Sequence, residues 1–546
     1  DFYYNDKKNK KIKIDETGEK NLPNNSKQPK IEDDNIKKVN EEIQKKQDEL
    51  NKLKKDILPY IIPLSSVLTY NNEENKILTI LDIIKNDETL KEIFNNQCEI
   101  IYNKSDCLTA IYNIVNKLPK TFNPSNIISS IKYDINKLLI NIKEQNGSMN
   151  DLIEFINQCI HTKKCEVEKH GEVMTPPWLI DEILDKFEEI DKDIFKMNYT
   201  WFDPCAGMGN FHIMIYNRLI KYHKHDFIIK NMFYANEINK KNVFLYKLIF
   251  GNNANIICDD SLKLDNKIKY DIIIGNPPYN SGTKNTGTTI YQQFIKKFIK
   301  QYNKYFSFIN PPGWRKPNTN KCKNYGLFEL MTKENHLIYL EIHDAKDGIK
   351  TFNAGTRYDW YIIDKNTNNK QSIIKGIDKT YKINCANWKF LPNGYFNEIK
   401  NIIDITFKNN LDIIYSRNMY SSENIKKNKV LSLTKDKIYK YPIIYSINQK
   451  GVRYMYSNEN KGMIGEKKII FNKINVKNNL NDIKGLYGLS EICIGIKYND
   501  DKIGEQIINT LNNNKFQEIM KCFYFSQITF DWRIFTYFKK DFYKNF

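Results

Sequence analysis

The sequence predicts a doubly wound parallel α/β sheet, with a helical domain before it and a basic α+β domain after it. Three observations carry this reading. Between Gly171 and about 375, short apolar runs alternate with helical segments, the pattern of βαβ units. Before Gly171 the apolar residues keep a helical period instead. From about 376 the texture becomes irregular, rich in Asn, Lys and Tyr, with short strands.

With 546 residues the chain is long enough for two or three cores. Residues 1–34 are polar, highly charged and without a sustained period, which reads as a disordered polar tail. From Ile36 the positions Ile36, Val39, Ile43, Leu50, Leu53 and Ile57 form an a/d heptad pattern, interrupted at Lys46 and stopping near Pro59. Periodic segments continue through 151–160, so 35–165 is expected to be a helical domain. The net charge of +19 has two readings, a polyanionic partner or the lysine and asparagine excess of an A/T-rich coding sequence.

No apolar run approaches the length of about 20 that spans a bilayer, and no signal peptide opens the chain. A cytoplasmic protein without a membrane partner is expected. Ten cysteines without a C-x-x-C pair fit free thiols in a reducing compartment. Cys159, His161, Cys165 and His170 lie close together, but their spacing matches no common zinc module, and no metal is expected.

Within 166–375 the expected order begins with a helix over 178–187, a buried strand at 200–204 and a helix from Asn210. A strand follows at 232–237, a helix from Asn239, and strands at 255–260 and 270–275. A helix over 288–302, a strand at 305–310 and the runs HLIYLEI and YDWYIID complete it. Such a sheet binds its ligand beyond the carboxyl ends of its strands, where strand order reverses.

The chemistry is therefore sought in the turns. The first strand runs into DPCAGMGNF, with Gly207 and Gly209 where a helix must begin. Glycines let the backbone approach a ligand, and the helix start offers free N–H groups. No GxxxxGK[ST] is present, which argues against a phosphate-binding P-loop. The second strand ends in Glu237, placed to accept from ribose hydroxyls, and the third in Asp259 and Asp260, placed to accept from an adenine amino group. Each acid taken singly reads rather as a surface carboxylate or helix cap. Three such strand ends together point to an adenosine-containing ligand.

The fourth strand ends in Asn276-Pro277-Pro278-Tyr279 and should lie beside the first. An exocyclic amine on a base is a weak nucleophile because its lone pair is delocalised. The Asn276 side-chain oxygen and the Pro277 carbonyl can accept its two hydrogens and localise that pair. Pro277 and Pro278 fix the backbone without adding N–H donors. Tyr279 offers a face on which an extruded base can stack, worth about 1–3 kcal/mol.

The motifs GEVMTPPWLIDEIL, DPCAGMGNF, ANEI, DDSL and NPPY, in that order, resemble the γ-class S-adenosylmethionine-dependent N6-adenine DNA methyltransferases of restriction-modification systems. The resemblance covers about 166–375 and implies a Rossmann-like methyltransferase sheet followed, over 376–546, by a target-recognition domain that binds double-stranded DNA. It implies that Thr175 and Pro176, with Asp203, Pro204, Gly207 and Gly209, hold the methionine end of S-adenosylmethionine. It places Glu237 on the ribose, Asp260 on the cofactor adenine, Asn276 to Tyr279 on the target adenine, and Phe352 on that base's other face. Its fused relatives carry an upstream nuclease, which is not recognisable here. A restriction or helicase module is therefore expected in an absent upstream segment or on a separate subunit, if there is one.

The NPPY motif alone also allows an RNA N6-adenine methyltransferase, a protein glutamine methyltransferase or a catalytically dead DNA-specificity module; cytosine N4 chemistry in this superfamily more often resembles Ser-Pro-Pro-Trp. A second Asn-Pro-Pro, at Asn310, has Gly313 where the aromatic would stand. It is expected to end a strand and leave Trp314 and Arg315 near the rim of the cleft. Arg417, Lys450, Arg453 and Arg533 are candidate DNA contacts by residue type.

Overall fold

A computed structural model describes residues 41, 44, 45 and 174–546, apart from 252, 265–267, 282–287, 366–370, 416–419, 421–429, 462 and 526–528. The chain divides into two compact units, Asp1–Asn95 with Ser105–Ser129, and Asn96–Lys104 with Ser130–Phe546; everything described from 174 onward falls in the second. The expected tail, the helical domain over 35–165 and the Cys159–His170 cluster lie outside the described residues, save for three isolated helical positions.

Helix α1 (Pro177–Ile190) starts with proline in its first turn, where the missing N–H costs nothing, and buries Leu179, Ile180, Ile183, Leu184 and Phe187 along one stripe. There follow β1 (Trp201–Asp203), α2 (Asn210–Leu219), β2 (Phe233–Glu237), α3 (Lys240–Phe250), β3 (Ile256–Cys258) and β4 (Tyr270–Gly275). Then come α4 (Tyr291–Phe298), β5 (Tyr302–Asn310), β6 (His336–His343), α5 (Ala345–Phe352), β7 (Tyr358–Asp364), β8 (Ser372–Lys375) and β9 (Thr380–Ile383). The nine strands form one sheet in the order β9-β8-β6-β7-β5-β4-β1-β2-β3. As expected, β4 lies parallel beside β1, and β5 is the next strand outward.

The sheet is mostly parallel. Strand β7 departs from the expected parallel pattern, pairing antiparallel with both β5 and β6. The segment joining β6 to β7 is the short α5 and one loop, which turn the chain around at the same end of the sheet rather than crossing it.

Period-two alternation sends side chains to two cores. Trp201, Ile272, Ile274, Ile309, Tyr339, Tyr358, Trp360 and Ile362 face α1 and α2. Phe202, Ile273, Phe306, Phe308, Leu340, Tyr361 and Ile363 face the other way, in a core shared with Phe390, Phe396, Phe516, Phe538 and Phe542. The C-terminal half thus packs directly on the sheet's second face, and β9 carries the sheet itself past 375.

That half adds α6 (Phe396–Ile402), β10 (Ile413–Ile414), β11 (Leu431–Ser432), β12 (Tyr441–Asn448), β13 (Gly451–Ser457), β14 (Lys468–Asn472), β15 (Asn479–Asp482), β16 (Gly488–Leu489), β17 (Cys493–Lys497), α7 (Asp501–Asn512) and α8 (Asn514–Lys521). Its strands form two four-stranded sheets, β10-β17-β14-β15 and β11-β13-β12-β16. Ile443, Ile444, Ile470 and Leu489 build a smaller core between them. Among the described residues no helix is long and apolar enough to cross a membrane.

Candidate active site

The carboxyl ends of β1 to β4 meet, and direct contacts between their turns hold them together. In the turn from β1 to α2, Gly207 and Gly209 have φ of +56° and +100°, where a side chain is strained. Gly209 is required twice over, since a Cβ there would lie 2.8 Å from the Tyr246 ring and 2.9 Å from Phe250. Gly207 has no atom within 4 Å of such a Cβ, so its backbone faces open space.

Glu237, at the end of β2, accepts the Gly207 N–H on Oε2 at 2.8 Å and the Asn239 N–H on Oε1 at 2.7 Å. A carboxylate has about four acceptor positions, and these two bonds take one on each oxygen. At the end of β3, Ser261 donates its hydroxyl to the Pro204 carbonyl, tying this turn to the first. Asp260 Oδ1 accepts the Leu262 N–H at 3.0 Å, while Oδ2 lies 3.6 Å from the Lys263 ammonium.

Asp203 is 1% exposed and accepts the Cys205 N–H at 2.9 Å. Burial pushes its carboxyl pKa up to about 8, and the neighbouring Glu237 charge adds to the rise. A Cβ at Gly275 would stand 2.6 Å from Asp203 Oδ1, so the glycine ending β4 lets β1 and β4 close on one another.

Asn276 is held from an unexpected direction. Its Nδ2 donates to Thr175 Oγ1 at 3.1 Å, and Asn210 Nδ2 donates to the Thr175 carbonyl at 3.3 Å. Thr175, itself buried, therefore links the segment before α1 to the start of α2 and to the Asn-Pro-Pro turn. With the amide nitrogen engaged, Asn276 Oδ1 is buried and has no hydrogen-bond partner among the described residues. Native structures seldom leave a buried acceptor unmatched, so this oxygen calls for an explanation. The Pro176 carbonyl accepts the Leu179 and Ile180 N–H groups at the start of α1.

Tyr279 is anchored by its carbonyl, which accepts the Ile290 N–H at 3.0 Å. Its hydroxyl is buried without a partner among the described residues, and burial, with Tyr358 and Asp359 nearby, raises its pKa. Tyr358 stacks on His343 with centroids 4.3 Å apart and receives the edge of Phe352 at 5.0 Å. Phe352, the last residue of α5 and only partly buried, thus belongs to the cluster that Tyr279 adjoins. Tyr358 went unnoticed in the sequence because its spacing is that of any core strand residue.

The second Asn-Pro-Pro is a structural turn. Asn310 is fully buried, and its Oδ1 accepts the Tyr361 hydroxyl at 2.8 Å. The expectation that Trp314 and Arg315 line the rim is overturned, because both are fully buried. Arg315 holds Asp359 through Nε–Oδ2 at 2.7 Å and Nη2–Oδ1 at 2.9 Å. It also donates to the carbonyls of Leu391 and Pro392 and to Asn393 Oδ1. Trp314 donates its indole N–H to the same Asp359 at 3.1 Å. A guanidinium's fixed fork is satisfied by this many acceptors, which is why it can be buried here. Asp359, an acid set between Tyr358 and Trp360 in the strand YDWYIID, was the available signal for such a partner.

The candidate DNA contacts separate as well. Lys450 and Arg453 are exposed on the β12–β13 hairpin, with Arg453 over the Tyr445 ring at 5.0 Å. Arg533 is committed to Asp531 and to Cys322 Sγ, so it is not a free cation. Arg417 lies outside the described residues.

These turns occupy the segment that comparison with known proteins picks out. Residues 147–310 match the N-6 DNA methylase family model. The matched residues span the glycine turn and the Asn-Pro-Pro-Tyr turn. No curated protein gives a significant match. Among solved structures, a Vibrio vulnificus protein described as a modification subunit of a type I restriction enzyme is 13% identical, with a TM-score of 0.32, over 49% of this chain and 55% of that one. This chain thus spans just over half of that subunit. A type I restriction-modification methyltransferase subunit from Streptococcus thermophilus is 11% identical, with a TM-score of 0.31, over 60% and 90%. A nuclease-deletion mutant of the Type ISP restriction-modification enzyme LlaGI, solved with a DNA substrate mimic, is 12% identical, with a TM-score of 0.45, over 90% and 65%.

Proposed function

We propose that the chain is a site-specific DNA methyltransferase that transfers the methyl group of S-adenosylmethionine to N6 of an adenine extruded from duplex DNA, within a restriction-modification system. The observation that carries this reading is Asn276, whose amide nitrogen is engaged by Thr175 while its buried oxygen awaits a donor.

The residues present fit the cofactor. Open space over Gly207, the Glu237 carboxylate at the end of β2 and the part-exposed Asp260 suit the methionine end, the ribose and the adenine in turn. Thr175, Pro176, Asp203, Pro204 and Gly209 complete that set by shaping the turns. When bound, S-adenosylmethionine supplies a methyl group activated by its sulfonium.

The chain's own residues act on the base. Asn276 Oδ1 and the Pro277 carbonyl accept the two N6 hydrogens and localise the nitrogen lone pair. Pro278 keeps the turn rigid and adds no donor. Tyr279 and Phe352 stack on the two faces of the base. The sulfonium would leave as the neutral thioether when N6 takes the methyl group, and the surplus proton on N6 would pass to solvent. Catalysis on this account is positioning and polarisation.

The half from 376 onward serves as the target-recognition part, with Lys450 and Arg453 on the exposed hairpin as contacts to double-stranded DNA. A nuclease or helicase activity, where the system has one, resides outside residues 174–546. Incubation with labelled S-adenosylmethionine and, separately, duplex DNA, single-stranded DNA and RNA tests the reading. Label in N6-methyladenine from the duplex is expected; label confined to RNA or to protein would overturn it.

A further inference from the structure

Arg357 lies in the loop between α5 and β7, next to Tyr358 and five residues beyond Phe352. Its surroundings fix the loop. A Cβ at Gly348 of α5 would lie 2.0 Å from the Thr356 carbonyl oxygen, so only glycine lets α5 seat against this backbone. The Thr356 N–H is in turn bound to the Ala354 carbonyl at 2.7 Å. Arg357 is thus held on the same rigid support as Phe352.

The guanidinium is half-buried, yet among the described residues it has no hydrogen bond and no ion pair within 4.0 Å. The carboxylate that acts on it, Asp344, is otherwise engaged, its Oδ1 capping α5 by accepting the Lys346 and Asp347 N–H groups. The Arg315 cation, also close enough to act on it, makes the place less comfortable still. A desolvated guanidinium without an acceptor is a cost to the fold unless an oxyanion arrives to take its fork.

Within β7, Tyr358 and Trp360 face the α1–α2 core, whereas Tyr361 faces the core shared with the C-terminal half. Arg357 immediately precedes this strand, and Tyr524 and Cys522 of the C-terminal half are among the groups acting on it. Tyr279 of the Asn-Pro-Pro-Tyr turn senses Tyr358 and Asp359, the next two residues. Strand β5 separates β7 from β4, about 10 Å across the sheet, and the glycine turn lies a further strand away.

We infer that Arg357 binds a backbone phosphodiester beside the extruded adenine, fixing the strand between the stacking residues and the recognition half. This rests on the methyltransferase reading above and adds a residue that holds the substrate's backbone rather than its base. The rival oxyanion is the carboxylate of the cofactor, which the strand order sets on the far side of the Asn-Pro-Pro-Tyr turn.

The test measures binding, without methyl transfer, of a fluorescent 30-bp duplex pool with a degenerate centre, in the presence of saturating sinefungin, across a salt series. One phosphate contact contributes about 0.9 to the slope of log K against log salt, which is about eightfold in affinity at 0.1 M salt. Arg357→Gln is expected to lose that factor and to lower the slope by about one, with sinefungin affinity unchanged. Arg357→Lys, which keeps the charge, is expected to keep the slope. Duplex binding by Arg357→Gln equal to wild type, a loss with unchanged slope, or a loss of sinefungin affinity in its place would each overturn the assignment. A wild-type protein that does not hold the duplex would overturn the reading of the cleft, and this assignment with it.

Discussion

Replacing Asp359 with Ala removes the acceptor at the centre of the buried Arg315 cluster. The variant loses both Arg315–carboxylate bonds, at 2.7 and 2.9 Å, and the Trp314 indole bond at 3.1 Å. It leaves a guanidinium of 1% side-chain exposure with only the carbonyls of Leu391 and Pro392 and the Asn393 amide oxygen. Breaking a buried pair on one side costs about 3–5 kcal/mol, because the remaining charge is stranded. Arg315→Met should cost less than Asp359→Ala, since burial already raises the Asp359 pKa, so its carboxyl can take up a proton instead of staying charged. The double variant Arg315→Met, Asp359→Ala should cost less than the sum of the two single losses. Urea unfolding followed by tryptophan fluorescence, with the four proteins in a double-mutant cycle, measures the coupling. A loss below about 1 kcal/mol for Asp359→Ala, or strict additivity, would refute the claim that this pair fastens the second Asn-Pro-Pro turn to β7.

Asn310→Ala leaves the buried Tyr361 hydroxyl without its acceptor, so a stability loss of about 1–3 kcal/mol is expected, with methyl transfer per folded molecule near wild type. Gly209→Ala places a Cβ against Tyr246 and Phe250 at φ +100°, and should lower the melting temperature more than Gly207→Ala, which meets only backbone strain; differential scanning calorimetry compares them. Asp203 gives a pH signature. Its folded pKa, about 8, lies above the ordinary value of 3.8, so the folded state retains a proton that the unfolded chain releases. The resulting stability is fully present below about pH 4 and is lost as pH rises toward 8. Asp203→Asn should therefore gain on the wild type as pH rises through that window, and urea midpoints at pH 5 and pH 8.5 read the difference.

The sheet was legible because each strand carries its own apolar run and each turn its own chemistry. The position of β4 beside β1 followed from the doubly wound order, and the register bears it out. The antiparallel β7 was not legible, since direction depends on whether a short connection crosses the sheet, and α5 does not. Local sequence also could not bury Arg315. Its carboxylate lies 44 residues away and its carbonyl acceptors 76 and 77, so its full set of acceptors exists only once the C-terminal half has packed. At the candidate site, spacing singled out Asn276, Glu237 and the glycines. The hydroxyl of Thr175 as the partner orienting Asn276 is a contact across 101 residues, which no motif encodes.

The central claim is that Asn276 polarises the nucleophile in a cleft that holds cofactor and base together. The most direct measurement is a comparison of Asn276→Ala with wild type for two quantities, methyl transfer from labelled S-adenosylmethionine to duplex DNA and the dissociation constant for that cofactor. The account predicts that transfer falls to background while cofactor affinity stays within about threefold, under 1 kcal/mol. Full transfer by the variant would contradict it.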